Sequence, residues 1–121
     1  MIVKSTFPIN VCADLEAEAR YYEAHGFTKM HHIVYKGAEG YIMQTEDGSK
    51  IALSKNTGNY KVGVFAIWIQ VDNLDDAIAH FEKQGYKKIS EIHVEPSCKF
   101  VYISSEQSRF PLFLIQHTPK N

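Results

Sequence analysis

The stretch FPINVCADLEAEARYYEAHGF (residues 7–27) has a counterpart in AIWIQVDNLDDAIAHFEKQGY (residues 66–86). Both stretches contain an apolar strand, an Asp or Asn, an amphipathic helix, a glycine and an aromatic residue. With a constant offset of 59 positions, Asp14 aligns with Asn73 and Tyr22 aligns with Phe81. A repeat that takes up half of the chain indicates a duplicated module rather than a solenoid of short units.

Composition places the chain among ordinary globular proteins. Its 121 residues are 45% hydrophobic and 22% charged, with a net charge of −1. We therefore expect one domain, no nucleic-acid partner and no membrane partner. The first residues do not resemble a signal peptide, which predicts a cytoplasmic protein. In that location Cys12 and Cys98 are expected to be free thiols that serve in packing.

Each half of the chain predicts a βαβββ module. Asp14 and Asn73 are typical helix N-caps, and Gly26 and Gly85 are typical of helix ends. After each helix we predict three strands, at residues 28–36, 39–46 and 49–55 and again at 87–94, 98–104 and 111–117. The modules span residues 1–55 and 62–121, joined by a linker at 56–61. The predicted fold class is α+β, with the two modules forming a curled, mostly antiparallel cup of eight strands.

Several motifs resemble those of the vicinal oxygen chelate superfamily, which includes glyoxalase I, extradiol dioxygenases and bleomycin-resistance proteins. The opening of that family is similar to the segment from Pro8 to Asp14, followed by the Tyr-Tyr-x-x-x-Gly-Phe pattern of residues 21–27. The stretch from Trp68 to Val71 looks like the bleomycin-resistance branch. The resemblance covers the whole chain and implies the same two-module cup.

The metalloenzymes of this superfamily hold one divalent metal with a His on the first strand and a Glu on the last strand of each module. The resemblance places these positions at Phe7, Ala52, Ala66 and Phe113. None of these side chains can coordinate a metal, because divalent ions at such sites need imidazole or carboxylate ligands. We therefore predict no metal, no other cofactor and no catalytic residue. A different metal site, at His31 or His32 with His93, is an alternative.

Alternation along the strands predicts which side chains line the cup. Across the Asp47-Gly48 hairpin, Tyr41 and Met43 are expected to pair on the same side with Ser54 and Ala52. The predicted ligand-binding residues are Phe7, Ile9, Tyr41, Met43, Ala52, Trp68, Gln70, Tyr102 and Phe113. An apolar, aromatic lining is typical of a site for a small planar or hydrophobic molecule. The same residues are equally typical of a cup filled by its own side chains.

Three functions are compatible with this lining. The first is a metal-free binding protein that sequesters a small aromatic or hydrophobic compound, as the resemblance to antibiotic-resistance proteins implies. The second is a metal-dependent lyase, isomerase or dioxygenase with unusual ligands. The third is a noncatalytic interaction module with a filled cup. Exposed strand edges and the family resemblance also predict a homodimer.

Overall fold

The structure is a computed structural model that describes residues 1–35, 38–56, 63–107 and 110–119. The described part contains nine strands and two helices. In chain order they are β1 (Val3–Cys12), α1 (Leu15–Ala24), β2 (Thr28–Tyr35), β3 (Ala38–Gln44), β4 (Lys50–Lys55), β5 (Gly63–Val71), α2 (Leu74–Glu82), β6 (Lys87–Lys88), β7 (His93–Glu95), β8 (Cys98–Ser104) and β9 (Leu112–His117). This order confirms the predicted α+β fold of two βαβββ modules. The strand predicted at residues 87–94 is instead divided into β6 and β7.

The chain divides into two compact units. The first unit is Phe7–Phe65, and the second unit combines Met1–Thr6 with Ala66–Asn121. Of the predicted linker at residues 56–61, only Asn56 lies within the described residues. Neither helix of the described residues has the length and apolar character needed to span a bilayer.

Both helices begin and end with the capping residues that the repeat predicts. Asp14 accepts a hydrogen bond from the Ala17 N–H at 3.1 Å, and Asn73 accepts one from the Asp76 N–H at 3.0 Å. These side chains satisfy N–H groups that have no partner within the helix. After the helices, Gly26 and Gly85 have φ of 93° and 95°, which only glycine adopts readily.

The aromatic residue after each glycine folds back on its helix. The Phe27 N–H donates to the Tyr22 carbonyl at 3.1 Å, and the Tyr86 N–H donates to the Phe81 carbonyl at 3.1 Å. The rings of the two pairs meet edge to face, with centroids 5.1 and 5.2 Å apart. The two modules therefore repeat their structure at the offset seen in the sequence.

In the first unit, the strand order is β2-β3-β4-β1, with β1 parallel to β4 and the other pairs antiparallel. Helix α1 covers one face of this sheet. The buried residues under the helix are Cys12, Leu15, Ala19, Met43 and Leu53. We call the opposite face of the sheet the inner face of the first unit.

In the second unit, the strand order is β5-β9-β8-β6, and β7 also pairs with β8. The parallel pair is β5 with β9. Helix α2 covers a core of Val71, Leu74, Ala77, Ile78, Val101, Ile103, Leu112 and Leu114. The face opposite α2 is the inner face of the second unit.

The N-terminal segment is held at the end of β5. The Ile2 N–H donates to Asp72 Oδ1 at 3.1 Å, and the Asp72 N–H donates to the Ile2 carbonyl at 3.2 Å. The bond to Ile2 lowers the pKa of the Asp72 carboxyl. Residues 1–6 thus belong to a unit whose other residues begin at position 66.

Candidate functional site

The inner face of the second unit carries the predicted aromatic residues of that module. Phe113 of β9 lies opposite Trp68 of β5 on one side and Tyr102 of β8 on the other. Ile115 lies opposite Gln70, two residues further along the strands. Residues directly opposite each other in a sheet point to the same face. The predicted common face of Trp68, Gln70, Tyr102 and Phe113 is therefore confirmed, and their role in ligand binding stays a prediction.

The aromatic rings on this face form a packed cluster around Phe113. Its ring centroid lies 4.7 Å from Trp68, 5.0 Å from Phe100 and 5.0 Å from Tyr102. Trp68 and Phe113 are each only 4% exposed. Each such pair contributes about 0.5–1.5 kcal/mol beyond the burial of its area. The cluster is thus a closely packed apolar platform.

Polar side chains lie beside this platform. His93 of β7 is opposite Phe100, with ring centroids 5.1 Å apart. Glu95 and His117 both lie opposite Cys98, from β7 and β9 respectively. Proton-transfer groups therefore share a face with the aromatic cluster. The sequence analysis considered His93 only as a possible metal ligand and did not place Glu95 or His117 on this face, because the register of β7 and β9 against β8 cannot be read from alternation alone.

The inner face of the first unit is built around Ala52. Ala52 of β4 lies between Ile9 of β1 and Ile42 of β3, its partners on the two neighbouring strands. On the far side of β3, Ile42 lies opposite His31 of β2. Phe7 precedes Ile9 by two residues and therefore shares its face. The predicted common face of Phe7, Ile9 and Ala52 is confirmed.

The predicted position of Tyr41 and Met43 is wrong. In the register of β3 and β4, Tyr41 lies opposite Leu53 and Met43 lies opposite Ile51. Met43 is buried under α1, and Tyr41 packs against the same core. The hairpin loop fixes a register one residue away from the predicted one, and such a slip turns every side chain to the other face.

Tyr41 instead joins a polar network beside α1. Its hydroxyl donates to Glu16 Oε1 at 2.5 Å, which raises the pKa of Tyr41 to about 12 and lowers that of Glu16. Lys29 Nζ lies 4.4 Å from the Tyr41 ring centroid and 3.6 Å from Glu16 Oε2. The His32 ring stacks on the Tyr41 ring, with centroids 4.9 Å apart. His32 Nε2 is hydrogen-bonded to Glu39 Oε2 at 2.8 Å.

The four positions used for a metal in the superfamily do not fit one here. Phe7 and Ala52 are 7% and 4% exposed on the inner face of the first unit. Ala66 and Phe113 are 0% and 4% exposed in the second unit. No side chain of these types offers a lone pair to a divalent ion. Among the described residues, no three His, Cys, Asp or Glu side chains lie close enough together to hold a metal. The alternative at His31 or His32 with His93 stays a prediction.

A cationic side chain lies beside the first pair of these positions. Lys50 of β4 is two residues before Ala52 and therefore shares its face. Lys50 Nζ lies 5.9 Å from the Phe7 ring centroid, which is within the usual reach of a cation–π contact. The Lys50 side chain was not among the residues chosen from the sequence.

Solved structures of methylmalonyl-CoA epimerases resemble this chain. A variant of the Streptomyces coelicolor enzyme, in complex with 2-nitronate-propionyl-CoA, is 20% identical, with a TM-score of 0.74 over 93% of this chain and 95% of that chain. The Mycobacterium tuberculosis enzyme is 16% identical, with a TM-score of 0.77 over 93% of this chain and 86% of that chain. A hypothetical protein from Bacillus halodurans is 12% identical, with a TM-score of 0.75 over 98% and 99% of the two chains. No family model and no curated protein matches the sequence.

These comparisons correct the functional prediction. Two of the three structures above are epimerases, which are isomerases, and they contradict the prediction of a metal-free protein that sequesters a hydrophobic compound. The likeness to the bleomycin-resistance branch is not confirmed. The two βαβββ modules and the structural neighbours together show that the chain has the vicinal oxygen chelate fold.

Proposed function

We propose that this protein is an isomerase that moves a proton at the carbon next to the carbonyl of an acyl thioester. The observation that carries the proposal is the match of 93% of the chain to methylmalonyl-CoA epimerases. Structures of those enzymes hold methylmalonyl-CoA or 2-nitronate-propionyl-CoA. A small-molecule ligand of this chemical class is the substrate we assign to the chain.

Epimerisation of such a substrate proceeds through loss and return of one proton. A base takes the proton from the carbon next to the carbonyl, and the electron pair of the broken bond moves to the carbonyl oxygen. A proton then returns to the opposite side of the carbon. The reaction needs a base, an acid and a group that stabilises the charge on the oxygen.

His93 is the proton-transfer group that we assign to this reaction. Histidine is the side chain used most often for that purpose. Its ring lies against Phe100 on the inner face of the second unit, beside the aromatic cluster. Trp68, Tyr102 and Phe113 provide apolar contacts in the proposal, and Gln70 provides a polar one. On the inner face of the first unit, taken by itself, Phe7, Ile9 and Ala52 are the residues that we propose for ligand binding.

Divalent metal enters no step of the proposed reaction. The side chains at Phe7, Ala52, Ala66 and Phe113 do not fit a metal, so the metal-dependent form of the isomerase alternative has no ligand set at these positions. Tyr41 and Met43 are also left out of the site, because both side chains lie on the helix-covered face.

Proton exchange with solvent tests the isomerase directly. Methylmalonyl-CoA is incubated with the protein in D₂O, and mass spectrometry follows the gain of deuterium. We expect exchange faster than in buffer, and a loss of about 100-fold or more in His93→Gln, since general acid–base groups contribute 10²–10⁴-fold. His80→Gln, an exposed histidine on α2, is the matched control and should retain the rate. Wild-type protein that exchanges no faster than buffer would contradict the proposal.

A second candidate is a noncatalytic interaction module with a filled inner face. The observation that favours it is the near-complete burial of Trp68, Phe100 and Phe113, whose rings occupy the inner face of the second unit. This candidate predicts that methylmalonyl-CoA causes no change in Trp68 fluorescence and no shift in melting temperature. A saturable change in either would exclude it.

We also propose the homodimer and the cytoplasmic location predicted from the sequence. Strand β2 ends the strand order of the first unit and exposes Met30 and Val34, and such apolar edges favour pairing with a second copy. Light scattering on the purified protein measures the mass, for which we expect twice that of the chain. Two buried free cysteines, Cys12 and Cys98, fit a reducing compartment.

A further inference from the structure

Glu95 is a half-buried carboxylate that lies beside His93 on the inner face of the second unit. The two residues are two positions apart on β7, so they share a face and their Cα atoms are about 7 Å apart. Glu95 lies opposite Cys98, and His93 lies opposite Phe100. Cys98 and Phe100 are only 1% and 8% exposed. The surface next to the carboxylate and the imidazole is therefore apolar.

The Glu95 carboxylate has no cationic side chain of the described residues within ion-pair distance. Both ion pairs that the described residues form lie in the first unit. His117 of β9 lies on the other side of Cys98, and a histidine loses its charge between pH 5 and 8. At pH 8 the side-chain charge next to His93 is therefore the negative charge of Glu95.

The lysines of β6 and β8 lie elsewhere. Lys88 and Lys99 belong to the face that α2 covers, since their strand partners do. Lys87 shares the inner face, but its partner on β8 is Ser104, which is six residues and about 20 Å along the strand from the position opposite Glu95. None of these three ammonium groups is placed to offset the charge of Glu95.

We infer that the reacting carbon of the preferred substrate carries an uncharged alkyl group rather than a carboxylate, and that Glu95 is the residue that selects against the carboxylate. The inference rests on the proposed isomerase function with His93 as its proton-transfer group. A carbon that gives its proton to His93 lies within about 3.5 Å of the imidazole. Its substituents are then close to Glu95 and to the apolar surface of Cys98 and Phe100.

The two kinds of substituent meet opposite conditions at this position. A carboxylate would lie near the like charge of Glu95, and the repulsion is stronger beside buried apolar residues than in water. An alkyl group would instead bury apolar area against Cys98 and Phe100. A site that repels one substrate and packs against the other discriminates through both effects. The substrate class is therefore a 2-alkylacyl thioester.

The test compares two thioesters of similar size. In 2-methylbutyryl-CoA an ethyl group takes the place of the carboxylate of methylmalonyl-CoA. Mass spectrometry follows deuterium uptake by each compound in D₂O at pH 8, and each rate is divided by the rate of the same compound in buffer alone. For the wild type we expect kcat/KM, corrected in this way, to be at least about 10-fold higher for 2-methylbutyryl-CoA.

Three variants assign the preference to Glu95. Glu95→Gln removes the charge with almost no change in shape and should lose most of the preference, chiefly by faster exchange of methylmalonyl-CoA. Glu95→Asp keeps the charge and should keep the preference. Glu82→Gln removes the same charge from an exposed position on α2, the helix that covers the opposite face of this sheet, and should behave as the wild type. Circular dichroism checks that all three variants are folded.

The outcomes separate this inference from the function on which it rests. Wild-type protein that exchanges methylmalonyl-CoA as well as 2-methylbutyryl-CoA, or better, would overturn the substrate class and leave the isomerase intact. A preference that is unchanged in Glu95→Gln, or lost equally in Glu82→Gln, would overturn the role of Glu95. Wild-type protein that exchanges neither thioester faster than buffer would overturn the isomerase and, with it, the inference.

Discussion

Cys12 ends β1 and is buried under α1, next to Leu15 and Met43. Burial, followed by the nearby charge of Glu18, raises its pKa to about 11 from an ordinary value of 9.0. The thiolate is the reactive form of cysteine. At pH 8 we therefore expect Cys12 in a Cys98→Ala variant to react with Ellman's reagent far more slowly in folded protein than in urea. Equal rates in the two states would show that the thiol is accessible.

The raised pKa of Cys12 also makes the free energy of unfolding depend on pH. A group whose pKa is higher in the folded state contributes stability below its unfolded pKa and loses it as the pH rises through the folded value. The free energy of unfolding should therefore fall between about pH 9 and 11, the two values for this thiol. Urea denaturation across this range measures the fall, which should be smaller in Cys12→Ala.

Gly40 sits where β3 approaches β4 most closely. A Cβ at this position would collide with the carbonyl oxygen of Leu53, so the backbones would have to separate. We expect Gly40→Ala to lower the free energy of unfolding by about 1–3 kcal/mol, the usual cost of overpacking. Ser54→Ala, at the partner position on β4, adds no atom and should cost less than about 0.5 kcal/mol. Urea denaturation measures the free energy of unfolding of both variants. Equal values for Gly40→Ala and Ser54→Ala would contradict the predicted clash.

At the scale of the helices, the N-caps give a paired prediction. Asp14→Ala and Asn73→Ala each remove one side-chain acceptor from a helix N-terminus. Each should lower the free energy of unfolding by about 1 kcal/mol. Arg20→Ala, at an exposed position within α1, should change it by less than about 0.5 kcal/mol. If Asp14→Ala lowered the free energy of unfolding and Asn73→Ala did not, the two N-caps would not be energetically equivalent, although the repeat aligns them.

The helices and their caps were predictable from the sequence because their signals are local. The cap, the glycine and the aromatic residue of each copy act within one or two turns of their helix. They are Asp14, Gly26 and Phe27 in the first copy and Asn73, Gly85 and Tyr86 in the second. The inner face of the second unit was predictable as well, since the alternation along β5, β8 and β9 holds without interruption.

The inner face of the first unit was predicted only in part. Its β3–β4 register depends on the five residues between Gln44 and Lys50, and loop length is not encoded in strand alternation. The sequence analysis therefore placed Tyr41 and Met43 on the wrong face. His93 was considered only as a possible metal ligand, and Lys50 was not chosen, because neither belongs to a recognisable motif. Only the register shows which face each one shares.

At the scale of the whole molecule, we expect divalent metals to leave the stability of the folded protein unchanged. A ligand that binds only the folded state at one hundred times its dissociation constant adds about 2.7 kcal/mol of stability. Because the four usual positions lack coordinating side chains, we expect no shift in melting temperature when Zn²⁺, Co²⁺ or Mn²⁺ is added after EDTA treatment. A saturable, stoichiometric shift would mean that other residues hold a metal.

The pairing of Ile2 with Asp72 has a consequence for the order in which the chain acquires structure during synthesis. The two residues are 70 positions apart, so Ile2 leaves the ribosome long before its partner exists. All of Phe7–Phe65 is made in the interval. Because compact units generally fold as they emerge, we expect the first unit to resist protease on stalled ribosomes while residues 1–6 are still cleaved. Residues that are synthesised before the first unit would then be protected after it.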